Sequence, residues 1–446
     1  MKILKLILVA AMVFAAGPAI ARAAYNPSNI ISDRLYYNSG SMAQSDIQKF
    51  LEGYGSYLSR YYVGARSAAQ IIYEACRSYG LSPKVMLVML QKEQSLVESK
   101  NPSETALRCA TGYGSCASKY LGFETQVDSA AWSLGVGYDA NKSRYNYEVG
   151  KTTVTQDGVA VTPANRATAN LFIYNPVAGT ESHNGNYLFW TLWWNRYFGA
   201  SFPTGTLIQA QGQPGVYLVD KEGRKHGFWG SSAFSLTFQP KQIVSVDPSD
   251  VLALSDGAPI KLRDGVVFRA PNGAVFISQN EEKWGVPDRE TLKRLGYNTT
   301  DAVPVNQTEV DLLPKGPLFD KDNLTRPDGT FIKIAENPAV YLLDQGKKRP
   351  FWDKQILNFN YNGNYKVVEI SQEEMNRYPT GPAVKFRDGA LLKGPSGGIF
   401  VIADGKKCGL ASREIFDGLG YKMSNVITVR QAVLDLHPGG ATINNY

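Results

Sequence analysis

Four glycine-led segments recur through the second half of this 446-residue chain, and any fold must accommodate them. Gly205-Thr-Leu-Ile, Gly265-Val-Val-Phe, Gly329-Thr-Phe-Ile and Gly389-Ala-Leu-Leu start at spacings of 60, 64 and 60 residues. Ten or eleven residues after each start comes a second apolar run: Val216-Tyr-Leu-Val, Val275-Phe-Ile-Ser, Val340-Tyr-Leu-Leu and Ile399-Phe-Val-Ile. Turn residues lie between the two, as in Pro271-Asn272-Gly273. A charged hairpin, a third strand, a short helical stretch and a fourth strand complete each unit. One such unit is too small to bury its own faces. The expectation is an all-β-rich repeat domain over residues 201–446. Four units can close radially into a four-bladed β-propeller, which protects sheet edges; an open row of modules is the alternative. Trp229, Trp284 and Trp352 occupy matching places in three units, with Leu410 in the fourth. They are either a repeated core position, the preferred reading because Leu substitutes once, or a sugar-stacking array.

The N-terminus reads differently. Lys2 and Lys5 precede a short apolar run, Ile7–Ala16, and Ala21-Arg22-Ala23 supplies small residues at a cleavage site. Residues 1–23 are therefore expected to be a signal peptide, and the protein to be exported, periplasmic or extracellular, with no transmembrane segment after signal removal. The formal net charge of +7 is spread without a basic block, which argues against nucleic-acid binding. Three His, four Cys and no CxxC pair exclude a zinc finger or a redox pair, so neither metal nor cofactor is expected. Cys109 and Cys116 bracket a short Gly/Ser/Thr loop that a disulfide would close.

Between these two parts, residues 24–200 show helical patterns. Ser82-Pro83 reads as a helix start, and Val85–Leu90 is apolar on every face, the mark of a buried helix. Glu93 follows on the stripe of Met86, Met89 and Leu90. A carboxyl at the end of an apolar face is expected to keep its proton, as a general acid for glycosidic cleavage must. An ordinary Glu in a solvated last turn is the alternative. Tyr113, between Gly112 and Gly114, could stack on a sugar ring. No second carboxylate stands out among Glu98, Glu104, Glu124 and Asp128, whereas hydrolysis of a glycoside generally needs a pair.

The segment from Ala68-Ala-Gln-Ile-Ile-Tyr to Leu81-Ser-Pro-Lys-Val-Met-Leu-Val-Met-Leu-Gln-Lys-Glu93 resembles the catalytic helix pair of lysozyme-like lytic transglycosylases and goose-type lysozymes. Ala110-Thr-Gly112 is similar to the loop that follows the catalytic Glu in that superfamily. The resemblance implies a mainly α, lysozyme-like N-terminal domain with Glu93 as the acid/base. It also implies substrate contacts from Gln94, where the superfamily usually carries Ser, and from Tyr113, Tyr174 and Asn175. The implied activity is that of an exported peptidoglycan lytic transglycosylase cutting between N-acetylmuramic acid and N-acetylglucosamine. The partners would be glycan strands, with an envelope protein or glycan held by the repeats. The rivals are a hydrolytic muramidase and a non-catalytic envelope or adhesion protein that grips glycan.

Overall fold

The structure, a computed structural model, describes residues 25–199, 201–322 and 324–444. The expected leader at residues 1–23 lies outside them.

Among the described residues, seven helices of at least seven residues build most of the first half. The first, α1 (Gln44–Gly53), buries Ile47 and Leu51. In α2 (Ala68–Tyr79) the Ser67 hydroxyl accepts from the Gln70 amide at the start, and Gly80 ends the helix in a left-handed turn. Two residues later α3 (Pro83–Gln94) begins with proline at its first position. Ser82 precedes it, but its hydroxyl meets Ser41 Oγ at 2.7 Å instead of capping the helix. Every residue from Val85 to Leu90 is buried, so α3 runs through the centre of the core. Around it lie α4 (Phe123–Gly135), α5 (Gly137–Tyr145), α6 (Arg166–Tyr174) and α7 (Gly185–Thr191). The last continues into a wider π-type turn, Leu192–Tyr197. Phe189 and Trp193 on this segment are fully buried, so its aromatic residues pack inward. Each such side chain contributes roughly 1.5–3 kcal/mol of burial. Among the described residues no helix is long and apolar enough to cross a membrane.

The second half is a mixture of strand and helix. In the first unit β1 (Leu207–Ala210), β2 (Val216–Val219), β3 (Lys225–Gly227) and β4 (Ile243–Val246) form a sheet of order β3-β2-β1-β4. The first three are antiparallel, and β4 returns parallel to β1. A parallel return needs a crossover, and the helix Ser231–Ser235 supplies it. The same order recurs from Phe331, from Leu391 and, with one strand added, from Val267. The expectation of an all-β propeller is thus corrected. The sheets are small and separate, none closes, and helices stand between third and fourth strands and again after the fourth in every unit. The tryptophan expectation changes too. Trp229 and Trp352 lie in the turn after the third strand and are 58% and 47% exposed, so they are not core residues; Trp284 packs on Phe319 at 5.4 Å.

Two features tie each unit together. The glycine that leads the unit has φ near +80° and meets another unit backbone to backbone. A Cβ on Gly205 would lie 2.2 Å from the Asp388 carbonyl carbon, and one on Gly329 2.2 Å from the Asp264 carbonyl oxygen. Secondly, a lysine on each third strand reaches the C-terminal end of the helix behind the fourth strand, where unpaired carbonyls carry partial negative charge. Lys225 Nζ donates to the Leu254 carbonyl, Lys283 to those of Val310 and Leu313, Lys348 to that of Met375, and Lys407 to the Asp435 carboxylate. The chain then runs parallel beside that third strand. Asp256 bridges Lys225, Thr380 bridges Lys348 and Gly439 bridges Lys407, and in the second unit the contact lengthens into a strand, Lys315–Leu318.

The two halves meet at a buried polar cluster. Asp250 is fully buried and accepts from Ser32 Oγ at 2.8 Å and Arg34 Nε at 3.1 Å. Asp247 accepts from Asn29 Nδ2 at 2.8 Å and Asn165 Nδ2 at 2.9 Å. Burial raises the Asp250 carboxyl above its ordinary 3.8, against the pull of Arg34. A group raised in the folded state binds its proton more tightly there, so its stabilisation is present at low pH and is lost as pH rises through the raised value. Melting temperatures of wild type and Asp250→Asn, measured across that window, should show the wild type losing ground to the variant as pH increases. Asp250→Ala, which removes the acceptor of both Ser32 and Arg34, should lower stability by about 3 kcal/mol in urea unfolding.

Candidate functional site

Glu93 sits on the last turn of α3, and Ser95 then turns the chain left-handed (φ 55°). Its surroundings are apolar on one side only. Met86, Met89 and Leu90 are buried, but Glu93 Oε1 pairs with Lys92 Nζ at 2.5 Å, and the Lys92 side chain is almost wholly buried. That ammonium adds a charge at the end of the apolar face expected from the sequence. Neighbours on a helix do not normally face each other, which is why the pairing left no mark in the pattern.

The loop after α3 closes over the carboxylate. Gly112 has φ +68°, and a Cβ there would stand 3.3 Å from Glu93 Oε2, so a larger residue would be strained and would press on the acid. The disulfide expected between Cys109 and Cys116 is not formed in the structure, where the two are free thiols with interacting side chains. Burial, the Cys109 thiol and the Glu93 carboxylate together push the Cys116 thiol up to about 11. Tyr174, at the end of α6, donates from its hydroxyl to the Thr111 carbonyl at 2.8 Å. Burial and the nearby Glu93 carboxylate hold its phenol well above the ordinary value. Glu93, Gly112, Cys116 and Tyr174 therefore share one small volume.

On the far side of Gly112 opens a cavity of about 830 Å³. Tyr113, Tyr174, Tyr120, Tyr145, Tyr147 and Trp132 line it, and the rings of Tyr113 and Tyr174 lie 6.3 Å apart. Trp132 and Tyr145 are 39% and 47% exposed, so aromatic faces are presented to solvent at the rim. Glu93 is not in the lining and adjoins the cavity only past Gly112. Gln94 and Asn175 are not in the lining either. Asn175 accepts from the Val177 amide through Oδ1, a local turn contact.

No acidic residue is among those described as lining the cavity. Glu98 is held by Arg196 and Tyr197, Glu124 by Arg66, and Asp128 is reached by the Tyr79 hydroxyl at 3.4 Å. His183 closes a tight turn with Thr180, and Gly394–Gly398 is a hairpin turn between the strands Leu391–Lys393 and Ile399–Ala403.

The residue that the sequence reading missed is Gln126. It is fully buried on α4, and its amide serves both strands of the loop. Oε1 accepts from the Thr111 and Tyr113 amides at 3.3 and 3.0 Å; Nε2 donates to the Tyr113 and Tyr120 carbonyls at 3.1 and 2.9 Å. A Gln on the apolar face of an otherwise regular helix is the signal that could have found it.

One comparison with known proteins bears on this half. A family model described as the LasA N-terminal domain matches residues 29–200, the span that carries Glu93. Protein CgeD of Bacillus subtilis (strain 168) is 28% identical over 125 residues, 27% of this chain; the chain spans 27% of that protein's length. Two solved structures share low sequence identity. The periplasmic assembly from the ESX-5 inner membrane complex is 15% identical, over 55% of this chain and 94% of that one, with a TM-score of 0.11. The EccB3 dimer from the ESX-3 core complex is 12% identical, over 54% and 98%, with a TM-score of 0.10. Scores this low define no shared architecture.

Replacing Gln126 with Leu would leave two amides and two carbonyls of the loop without partners in a buried setting. The expected loss is about 2–4 kcal/mol, read as a lowered melting temperature. The Tyr113 amide should at the same time exchange its hydrogen faster than amides of the α3 core.

Proposed function

We propose that the helical half is a peptidoglycan lytic transglycosylase acting outside the cytoplasm, with Glu93 as its single acid/base. The observation that carries this reading is a lone carboxylate separated by Gly112 from a roomy, tyrosine-lined cavity, with Glu98, Glu124 and Asp128 engaged elsewhere. Cavities of this size hold ligands larger than one sugar ring, and exposed aromatic faces suit the apolar faces of pyranose rings.

In this mechanism Glu93 donates its proton to the oxygen joining N-acetylmuramic acid to N-acetylglucosamine. The glycosidic C–O bond breaks, and the proton leaves on the new N-acetylglucosamine hydroxyl. The carboxylate then takes the proton from the muramyl C6 hydroxyl as that oxygen bonds to the anomeric carbon. The product is a 1,6-anhydro ring, and the enzyme is restored without water. One carboxylate suffices for both transfers, whereas an inverting or retaining hydrolase needs a second at about 5–9.5 Å. Gly112 leaves room between the acid and the sugar, and the Gln126-braced loop fixes Tyr113 beside it.

The ion pair with Lys92 favours a second reading, a domain that grips glycan without cutting it, in which the lysine locks the carboxylate permanently. The two differ in one experiment. Purified sacculi are incubated with wild type and with Glu93→Gln, and soluble fragments are weighed by mass spectrometry. The lytic reading expects anhydro-ended fragments from wild type and a drop of at least about 10²-fold in the variant. Fully hydrated ends would make the enzyme a muramidase. Retained binding with no release by wild type would leave the glycan-gripping domain. Trp132→Ala should weaken glycan binding roughly fivefold, the loss of one aromatic contact worth about 1 kcal/mol, in wild type and Glu93→Gln backgrounds alike.

A further inference from the structure

The repeats are related in a longer period as well as in the short one. Gly205 and Gly329 lie 124 residues apart, as do Gly265 and Gly389, so units one and two are echoed by units three and four. Two cavities occupy matching positions in these halves. One, of about 280 Å³, is lined by Arg263, Gly265, Tyr297, Asp301 and Lys366. The other, of about 290 Å³, is lined by Arg387, Gly389, Tyr421, Asn425 and Gln242, each 124 residues away from its counterpart.

In both cavities the arginine is anchored by aromatic rings and not by an acid. Arg387 lies 3.9 Å from the Phe238 ring centroid and 4.3 Å from that of Phe359; Arg263 lies 4.8 Å from that of Tyr361. Arg387 Nη1 donates to the Asp388 backbone carbonyl at 3.2 Å, and Nη2 to Gln242 Oε1 at 3.3 Å; Nε is buried with no hydrogen bond. The Asp388 carboxylate turns to the Gly405 amide instead. Burial without a salt-bridging acid pushes the Arg387 guanidinium down to about 9.

The two cavities differ in charge. In the first, Lys366 Nζ is paired with the Asp301 carboxylate. In the second those two positions hold Gln242 and Asn425, and Asn425 Oδ1 is buried without a hydrogen bond. The second cavity therefore carries Arg387 and Lys241 with no acidic residue in its lining. Its other polar groups are amides and hydroxyls, among them Gln239, Asn358 and Tyr421. Amides and hydroxyls both donate and accept, which suits sugar hydroxyls. An amino acid would bring an ammonium group that nothing in the lining could neutralise. The volume is at the small end of ligand sites and matches a single ring.

The geometry points to the cavity between units one, three and four as a binding site for one carboxylate-bearing sugar, with Arg387 and Lys241 facing the carboxylate and the amides its hydroxyls. This site lies in the second half of the chain and does not rest on the lytic reading of Glu93.

The test uses the full chain and isothermal titration calorimetry. D-glucuronate and N-acetylmuramate are compared with glucose, N-acetylglucosamine, acetate and inorganic phosphate. A double variant, Gln242→Lys with Asn425→Asp, transplants the ion pair that the sister cavity already holds. Both acidic sugars are expected to bind at least tenfold more tightly than the neutral ones and than acetate or phosphate, and to lose that advantage in the double variant. Lys241→Glu, at an exposed rim position, is expected to give the same loss and serves if the double variant does not fold. Equal binding of acidic and neutral sugars, no binding of acidic sugars, or binding that both variants leave unchanged overturns the site. Phosphate or acetate binding as tightly as the acidic sugars overturns the sugar and leaves a general anion pocket. Trp132→Ala and Glu93→Gln are expected to leave the D-glucuronate titration unchanged, which separates this outcome from that of the sacculus assay.

Discussion

The amide of Gln126 is the contact on which the geometry around Glu93 depends. Four backbone groups from a loop with little regular structure find their partners on this one buried side chain. Backbone polar groups cannot be buried unpaired at small cost, so the loop can lie against α4 only because a side chain there offers both a donor and an acceptor. With the loop fixed, Gly112 faces the carboxylate and Tyr113 faces the cavity. α3 supplies the rigid floor, and the buried run before Glu93 keeps its last turn from moving. Precision at the candidate site therefore comes from a polar knot set between two apolar helices.

Part of this was legible in the chain itself. Glu93 stood out because an apolar stripe led to it, and the strands of each repeat stood out because a glycine, a turn and an alternating run recurred at fixed spacing. Both signals are local, written within a few residues. What could not be read is carried by contacts between distant residues. Lys92 is the exception, a sequence neighbour whose long side chain pairs with Glu93 at the helix end. The lysines of the third strands look like ordinary charged hairpin residues until the helix ends they cap are seen some thirty residues further on. Whether the sheets close was equally hidden, because packing between units rests on single residues such as Gly205 and Arg387 rather than on any periodic pattern. Trp229 and Trp352 misled for a related reason: matching positions in a repeat show equivalent places, not buried ones.

The two halves are joined in a way that differs from the packing inside either. Within each half, apolar clusters dominate. Between them, Asp247 and Asp250 collect hydrogen bonds from Asn29, Ser32, Arg34 and Asn165. Such a contact is directional, so it fixes orientation more strictly than greasy surfaces would, while its stability depends on the charge state of one buried carboxyl. A helical half oriented in this manner presents its cavity at a set angle to the repeats.

The strip of chain that returns alongside every third strand has a consequence for the protein among other proteins. An outermost strand with open amides and carbonyls invites pairing with a foreign chain and, at high concentration, amyloid-like association. Here each unit covers that margin with its own downstream residues, most fully at Lys315–Leu318. Because the cover belongs to the unit and not to its neighbour, a unit could be duplicated or deleted over evolutionary time without leaving a sticky margin behind.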